Sequence, residues 1–203
     1  MKNTINNKVF KNANEAYEYL HDKIIQYGVE FSNTLALFNV GFYIENPMDN
    51  HITNKERNWK HDYAEAEWQW YKSGDRNVDK LRELYGKVPQ IWLKMCDDYG
   101  RVNSNYGWQW ERNEQLMIII DKLTRNHETR QAAISIYDGK EIRDYNKDTP
   151  CTYAVQFTRI NGKLDMCVVM RSNDLWYGFC NDQYCFSELQ KEVCRALNLE
   201  IGT

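Results

Sequence analysis

Apolar residues recur every three or four positions in some stretches of this chain and every second position in others, and the change of period marks out its elements. Tyr17, Leu20, Ile24 and Tyr27 fall at spacings of three and four, which predicts an amphipathic helix over residues 13–27. Asn12 or Asn14 would cap it and Gly28 would end it. Residues 34–45, rich in Leu, Val, Phe and Tyr, read as a strand that Pro47 stops. Residues 55–72 read as helix, dense in Trp, Tyr and acidic side chains. Residues 78–85 form a short helix, and Pro89 opens another through Ile91, Trp92 and Met95. Residues 99–110, with their Gly and Asn, read as a loop. Residues 111–124 read as a helix with Leu116, Ile119, Ile120 and Leu123 facing inward. The last third changes character. Residues 132–137 are a strand, and 151–158 and 164–170 are strands joined by Asn161-Gly162, a strong hairpin signal. A final helix covers 182–197. Helices come early and a sheet late, so the fold class is α+β, with no internal repeat and no domain-length linker. The 203 residues suit one domain.

Composition narrows the function classes. The chain is 42% hydrophobic and 14% aromatic, an ordinary globular mixture, and its formal net charge is -3. That balance argues against non-specific binding to duplex nucleic acid, which needs an excess of Lys and Arg to displace phosphate counterions. A few placed arginines still suffice for one small anion. No apolar run approaches the roughly 20 residues that span a bilayer. The start, MKNTINNKVF, lacks the apolar core of a signal peptide. A soluble, cytoplasmic protein with no membrane partner is expected. Six cysteines occur at 96, 151, 167, 180, 185 and 194, with no CxxC pair and no histidine at zinc spacing, so no metal is expected. Five of the six are read as small buried hydrophobes in a reducing compartment.

The sixth, Cys151, follows Pro150 at the start of a strand. Proline fixes the backbone there and removes a competing donor. A lone cysteine at a strand start is, on spacing alone, first a core residue. As a nucleophile it would need nearby cations to become a thiolate. Arg171 and Ser172, at the end of the pairing strand, would make a phosphate clamp of guanidinium fork and hydroxyl, or equally a surface arginine beside a serine turn.

PCTYAVQF (150–157) followed by MRSNDLWYGFCND (170–182) resembles the catalytic core of thymidylate synthase, and more closely the deoxycytidylate hydroxymethylase branch of the same superfamily. The resemblance covers most of the chain. It includes AEAEWQWYKSGD (64–75), PQIWLKM (89–95), NSNYGWQW (103–110), TRQAAISIY (129–137) and DYNKD (144–148) in the family's order. It implies a mixed or antiparallel sheet with helices packed on one side. It also implies a cysteine thiolate, here Cys151, that adds to C6 of a pyrimidine nucleoside monophosphate. C5 then attacks the iminium form of 5,10-methylenetetrahydrofolate. By the same resemblance Arg171 and Ser172 bind phosphate, and Arg130 crosses a homodimer interface to the partner's phosphate. Glu67 organises water and relays protons around the base. Trp92 and Tyr106 match residues lining the folate side and the proton-relay side of the cavity, and Asp174 and Gly178 match positions near the pterin and the base.

By the same resemblance, the position that reads the base falls on Asp182. Counting from Arg171 without a gap, the synthases carry asparagine there and the cytidylate enzymes aspartate. The chemistry agrees: uracil offers a donor at N3 and an acceptor at O4, which an amide answers. Cytosine reverses the pattern, and a protonated carboxylic acid answers with its O–H to N3 and its carbonyl to the amino group. A slip of one residue would put Asn181 in that place and restore the amide, and either residue could instead cap the following helix.

Two departures stand beside the resemblance. The family often has paired arginines where this chain has Arg130-Gln131, and the stretch ENPMDNHITN (45–54) lacks the synthases' loop arginine. The chain also stops at NLEIGT, before the family's sugar-contacting strand and closing cap, so a C-terminally truncated domain is expected. The expected activity is C5-hydroxymethylation of dCMP or CMP, in which water attacks the exocyclic methylene. The alternatives are thymidylate synthase, in which hydride takes that role, and a nucleotide-binding protein without turnover.

Overall fold

The computed structural model describes residues 5–145 and 147–203. Residues 1–4, part of the stretch read for a signal peptide, and Asn146, the middle of DYNKD, lie outside them. The chain opens with β1 (Lys8–Phe10) and α1 (Ala13–Tyr27). Asn12 starts α1: its Oδ1 accepts Glu15 N at 2.9 Å, while the Glu15 carboxylate accepts Lys11 N at 2.7 Å. Asn14, the other cap candidate, accepts Thr53 N and Asn54 N instead and ties α1 to the following loop.

The strand expected over 34–45 is two strands in two different sheets. β2 (Val29–Phe31) and β3 (Thr34–Ala36) form a hairpin through Ser32 and Asn33, both at positive φ. Asn39 at φ 55° then redirects the chain into β4 (Phe42–Ile44), which pairs parallel with β1. The helix expected from 55 starts only at His61, because Asn58 takes φ 45° and breaks the helical ladder; α2 is His61–Ser73. Gly74 closes it in the left-handed region. α3 (Val78–Tyr85) and α4 (Gln90–Met95) follow.

The stretch read as a loop to residue 110 ends in a helix, α5 (Tyr106–Glu111). Asn105 makes that helix, accepting Trp108 N at 2.9 Å while its amide donates to Asp75 O at 3.0 Å. Gly107 lies flat against the Tyr71 carbonyl with no space for a Cβ, so its glycine is a packing requirement rather than a loop signal. The helix expected over 111–124 is kinked: Asn113 and Glu114 have φ 56° and 59°, and α6 is Gln115–Arg125.

β5 (Ala133–Ser135), β6 (Thr152–Ile160), β7 (Lys163–Met170) and β8 (Glu200–Ile201) form a sheet in that order, β8 parallel to β7 and the others antiparallel. Between β7 and β8 a π-helical turn (Leu175–Phe179) runs into α7 (Cys180–Leu197). One sheet face buries Ile134, Val155, Phe157 and Leu164 in the main core with Trp68, Trp70 and Tyr71 of α2 and Phe186, Leu189 and Val193 of α7. The other face exposes Ala133, Ser135, Cys167 and Val169. This is the α+β arrangement expected. A second core joins Phe10, Ala13 and Tyr17 to Phe179 and Cys180, so the π-helical turn rests on α1.

All six cysteines are free. The expectation of five buried ones holds for Cys180, Cys185 and Cys194; Cys96 is half-buried, and Cys167 is exposed because its strand position faces away from the helices.

Candidate active site

Cys151 sits just before β6 in a turn held from β7. Arg171 N donates to Cys151 O at 2.8 Å. The Arg171 side chain donates to Thr149 O at 2.8 Å and Pro150 O at 3.1 Å, and its Nη2 lies 3.7 Å from Cys151 Sγ. One guanidinium therefore shapes the turn and faces the sulfur. Burial still pushes the thiol up from its ordinary value; Arg171 pulls it down, and Asp182 and Asp148 push it up. Ser172 is exposed next to Arg171.

Two carboxyls from different helices complete the cluster. Glu67, in the middle of α2, is 4% exposed. Its Oε1 accepts Tyr63 OH at 3.2 Å and Tyr71 OH at 3.3 Å, one turn away on either side. Tyr63 OH in turn accepts Trp92 Nε1 at 2.8 Å, which links α4 to the same chain of hydrogen bonds. Burial, then the nearby Asp182 charge, push Glu67 up to about 8, against the two phenol hydrogen bonds. Asp182, in the first turn of α7, is half-buried and accepts Asn173 Nδ2 at 3.1 Å. Desolvation pushes it up to about 7. Two carboxyls that hold protons near neutrality beside a thiol can donate to, and accept from, a polar ring laid between them. Tyr106, 4% exposed on α5, belongs to the same cluster: burial first, then the charges of Asp182 and Cys151, push its phenol well up.

The π-helical turn orders the rest. Asp174 Oδ1 accepts Tyr177 N at 2.6 Å, so Asp174 caps this helical segment, and neither Asn181 nor Asp182 serves as the cap that the sequence allowed. Asn181 is engaged at both ends: its Oδ1 accepts Trp59 Nε1 at 2.9 Å and its Nδ2 donates to Tyr177 O at 3.0 Å. Gly178 lies over Asp182; a Cβ there would meet Asn173 Oδ1 at 3.0 Å and Asp182 Oδ2 at 3.3 Å. Its bare backbone keeps the approach to the carboxyl open.

Thus Cys151, Arg171, Glu67, Tyr106, Asp182, Asp174, Gly178 and Trp92 converge, with Ser172 at the edge. Arg130 does not join them within one chain: it is exposed on the approach to β5. Sequence reading passed over Tyr63, Tyr71, Asn173, Asp148 and Arg57. The two tyrosines were accessible to it, four residues either side of Glu67 in a predicted helix. Arg57, just past the arginine-free 45–54 stretch, donates to Trp176 O at 2.5 Å and holds the π-helical turn. Asn173 and Asp148 lie within the quoted motifs MRSNDLWYGFCND and DYNKD, but nothing in their own spacing marks them. A separate cleft between His51, stacked 4.4 Å from His61, and Tyr184 shares no lining residue with this cluster.

The family model described as thymidylate synthase matches residues 15–203. The chain belongs to the thymidylate synthase family. It is 32% identical over 157 residues to the deoxycytidylate 5-hydroxymethyltransferase of Enterobacteria phage T4, covering 73% of this chain and 60% of that protein. It is 30% identical over 175 residues to the deoxyuridylate hydroxymethyltransferase of Bacillus phage SP01, covering 78% of this chain and 45% of that protein. It therefore spans less than two thirds of either relative's length. Thermostable thymidylate synthase A from Bacillus subtilis superposes with a TM-score of 0.74 at 20% identity, covering 94% of this chain and 76% of that one, which is a likeness of fold.

Proposed function

We propose that this chain is a folate-dependent C5-hydroxymethyltransferase acting on a cytosine nucleotide, dCMP or CMP, through a Cys151 adduct at C6. The observation that carries the reading is the Asp182 carboxyl, pushed up to about 7 beside a second carboxyl at about 8. Near neutral pH it holds a proton to give. Asn173 occupies Oδ2 as a donor, so the proton belongs on Oδ1. There it can bond cytosine N3 while Oδ2 accepts the exocyclic amino group. Asn181 already turns its amide oxygen to Trp59 and its amide nitrogen to the Tyr177 carbonyl.

In this reading Cys151 Sγ bonds to C6 and Arg171 stabilises the thiolate that attacks. Electron density moves onto the ring and C5, and the hydrogen bond from the Asp182 O–H to N3 strengthens as charge builds there. Glu67, oriented by Tyr63 and Tyr71, relays protons at the far side of the base, with Tyr106 beside it. Arg171 and Ser172 receive the phosphate. Asp174, Gly178 and Trp92 would hold the pterin of 5,10-methylenetetrahydrofolate, which when bound would supply the one-carbon unit. The exposed sheet face suits a homodimer, in which Arg130 reaches the partner's phosphate. A cytoplasmic location goes with such chemistry.

The SP01 relative favours a second reading, transfer to a uracil nucleotide. Against it, an ionised Asp182 would set acceptor against O4. Tritium release from 5-tritiated dCMP and dUMP, each with methylenetetrahydrofolate, separates the two. Release from dCMP, abolished in Cys151→Ser, is the expected result. Release from dUMP alone would replace the first reading by the second. Binding of nucleotide with no release from either would leave a non-catalytic family member.

A further inference from the structure

The turn that presents Cys151 is gripped on two sides. From β7, Arg171 takes the carbonyls of Thr149, Pro150 and Cys151. From the segment before α5, Asn103 and Ser104 take Asp148. Ser104 N donates to Asp148 Oδ2 at 2.6 Å, Ser104 Oγ donates to Oδ1 at 2.5 Å, and Asn103 Nδ2 donates to the Asp148 carbonyl at 2.8 Å. Asn103 is itself braced by Arg76, whose Nη2 donates to its Oδ1 at 2.5 Å and whose guanidinium stacks 4.4 Å from the Trp108 ring. Asp148 is 4% exposed, a buried carboxyl satisfied by neutral donors. Its cation neighbour Arg76 is committed to Asn103 and the Val102 carbonyl. Asp148, three residues from Cys151 in the chain, pushes its thiol in the direction opposite to Arg171.

We propose that Asp148 is a positioning residue for the nucleophile: bonded to Ser104, it fixes the turn that presents Cys151 to the α5 side of the site and holds its carboxylate in that turn, opposed in effect to Arg171. This rests on Cys151 being the nucleophile. The grip and the charge are one device. The bonds to Ser104 keep the carboxylate from swinging to solvent, so the charge stays where Arg171 has to oppose it. The groups facing Cys151 are then Arg171 from β7, Asp182 from α7, Tyr106 from α5 and Asp148 from its own turn. Burial restrains the thiolate first, Arg171 favours it, and the carboxyls of Asp182 and Asp148 oppose it.

The test is the pH dependence of Cys151 alkylation by iodoacetamide on the empty protein, read on the Cys151 peptide by mass spectrometry so that the other five cysteines do not intrude. Asp148→Asn removes the charge and keeps an acceptor for Ser104 N. Asp148→Ser removes it with less bulk. Each is expected to move the midpoint to lower pH by about half a unit or more, making Cys151 about threefold faster near pH 7.5. A folded variant with an unmoved midpoint overturns the proposal. So does failure of both variants to fold, which would make Asp148 a folding residue alone. Alkylation needs no turnover: a shifted midpoint in a protein that releases no tritium would sink the proposed activity and leave the role of Asp148 standing.

Discussion

Replacing Asp182 by Asn exchanges one hydrogen-bonding pattern for its complement in nearly unchanged volume. To meet uracil the new amide turns its oxygen to N3–H and its nitrogen to O4, and Asn173, which now donates to Asp182 Oδ2 at 3.1 Å, turns its own amide so that its oxygen accepts there instead. What changes is the face toward the base. Cytosine loses two matched contacts, at N3 and at the 4-amino group, and uracil gains two. At about 1.5 kcal/mol per contact, dCMP loses about 3 kcal/mol and dUMP recovers about 3. The swing of about 6 kcal/mol is about 10⁴-fold in the ratio of kcat/KM values, the range reached by sites built around a specific hydrogen bond. The assay is tritium release from both 5-tritiated nucleotides across pH 5.5–9. Wild type should lose dCMP turnover as pH rises through about 7, where Asp182 gives up its proton, with Glu67 following near 8. The Asn variant should show no such limb near 7. A folded Asp182→Asn protein that still prefers dCMP to within tenfold of wild type would refute base reading by this residue.

Glu67→Gln should remove a pH-dependent cost of folding. A carboxyl whose folded value is raised stabilises the fold below its unfolded value, and that stability is lost as pH climbs through about 8. Wild type should therefore weaken between about pH 4.5 and 8 by at most ~1.4 kcal/mol per unit, and the variant, whose amide oxygen still accepts Tyr63 and Tyr71, should gain on it in melting temperature at pH 8.5 relative to pH 5.5. Gly107→Ala should destabilise by about 3 kcal/mol or prevent folding, since the added methyl meets the Tyr71 carbonyl; a melting temperature within 2–3 °C of wild type, roughly the width of a 1 kcal/mol effect, would contradict that packing. Val169→Asp, on the open sheet face where Val169 is 46% exposed, should convert a dimer to monomer in light scattering while leaving the monomer folded, and should depress turnover by removing the partner's Arg130.

Much of this protein lies in the order of its residues. The apolar period marks α1 and α3 to the residue, because an amphipathic helix writes its own spacing. Asn161-Gly162 marks the β6–β7 hairpin, because few other pairs accept that turn. The order of the family motifs brings Cys151, Arg171, Glu67 and Asp182 forward together. Local pattern fails where long-range contact decides. Residues 34–45 have strand composition throughout, yet their two strands pair with β2 and β1. The segment before Trp110 looks like loop, yet α5 forms there because Asn105 finds Asp75 and Gly107 finds Tyr71. The same holds for the chemistry. The sequence by itself determined the fold class, the family and the residue types of the cluster, since those follow from period and motif. Only the tertiary structure decided that Asn181 turns to Trp59 and Tyr177, that Asp174 caps the π-helical turn, and that Asp148 is held by Ser104. It alone also raised the two carboxyls toward neutrality, because desolvation and charge depend on what the fold packs around a side chain.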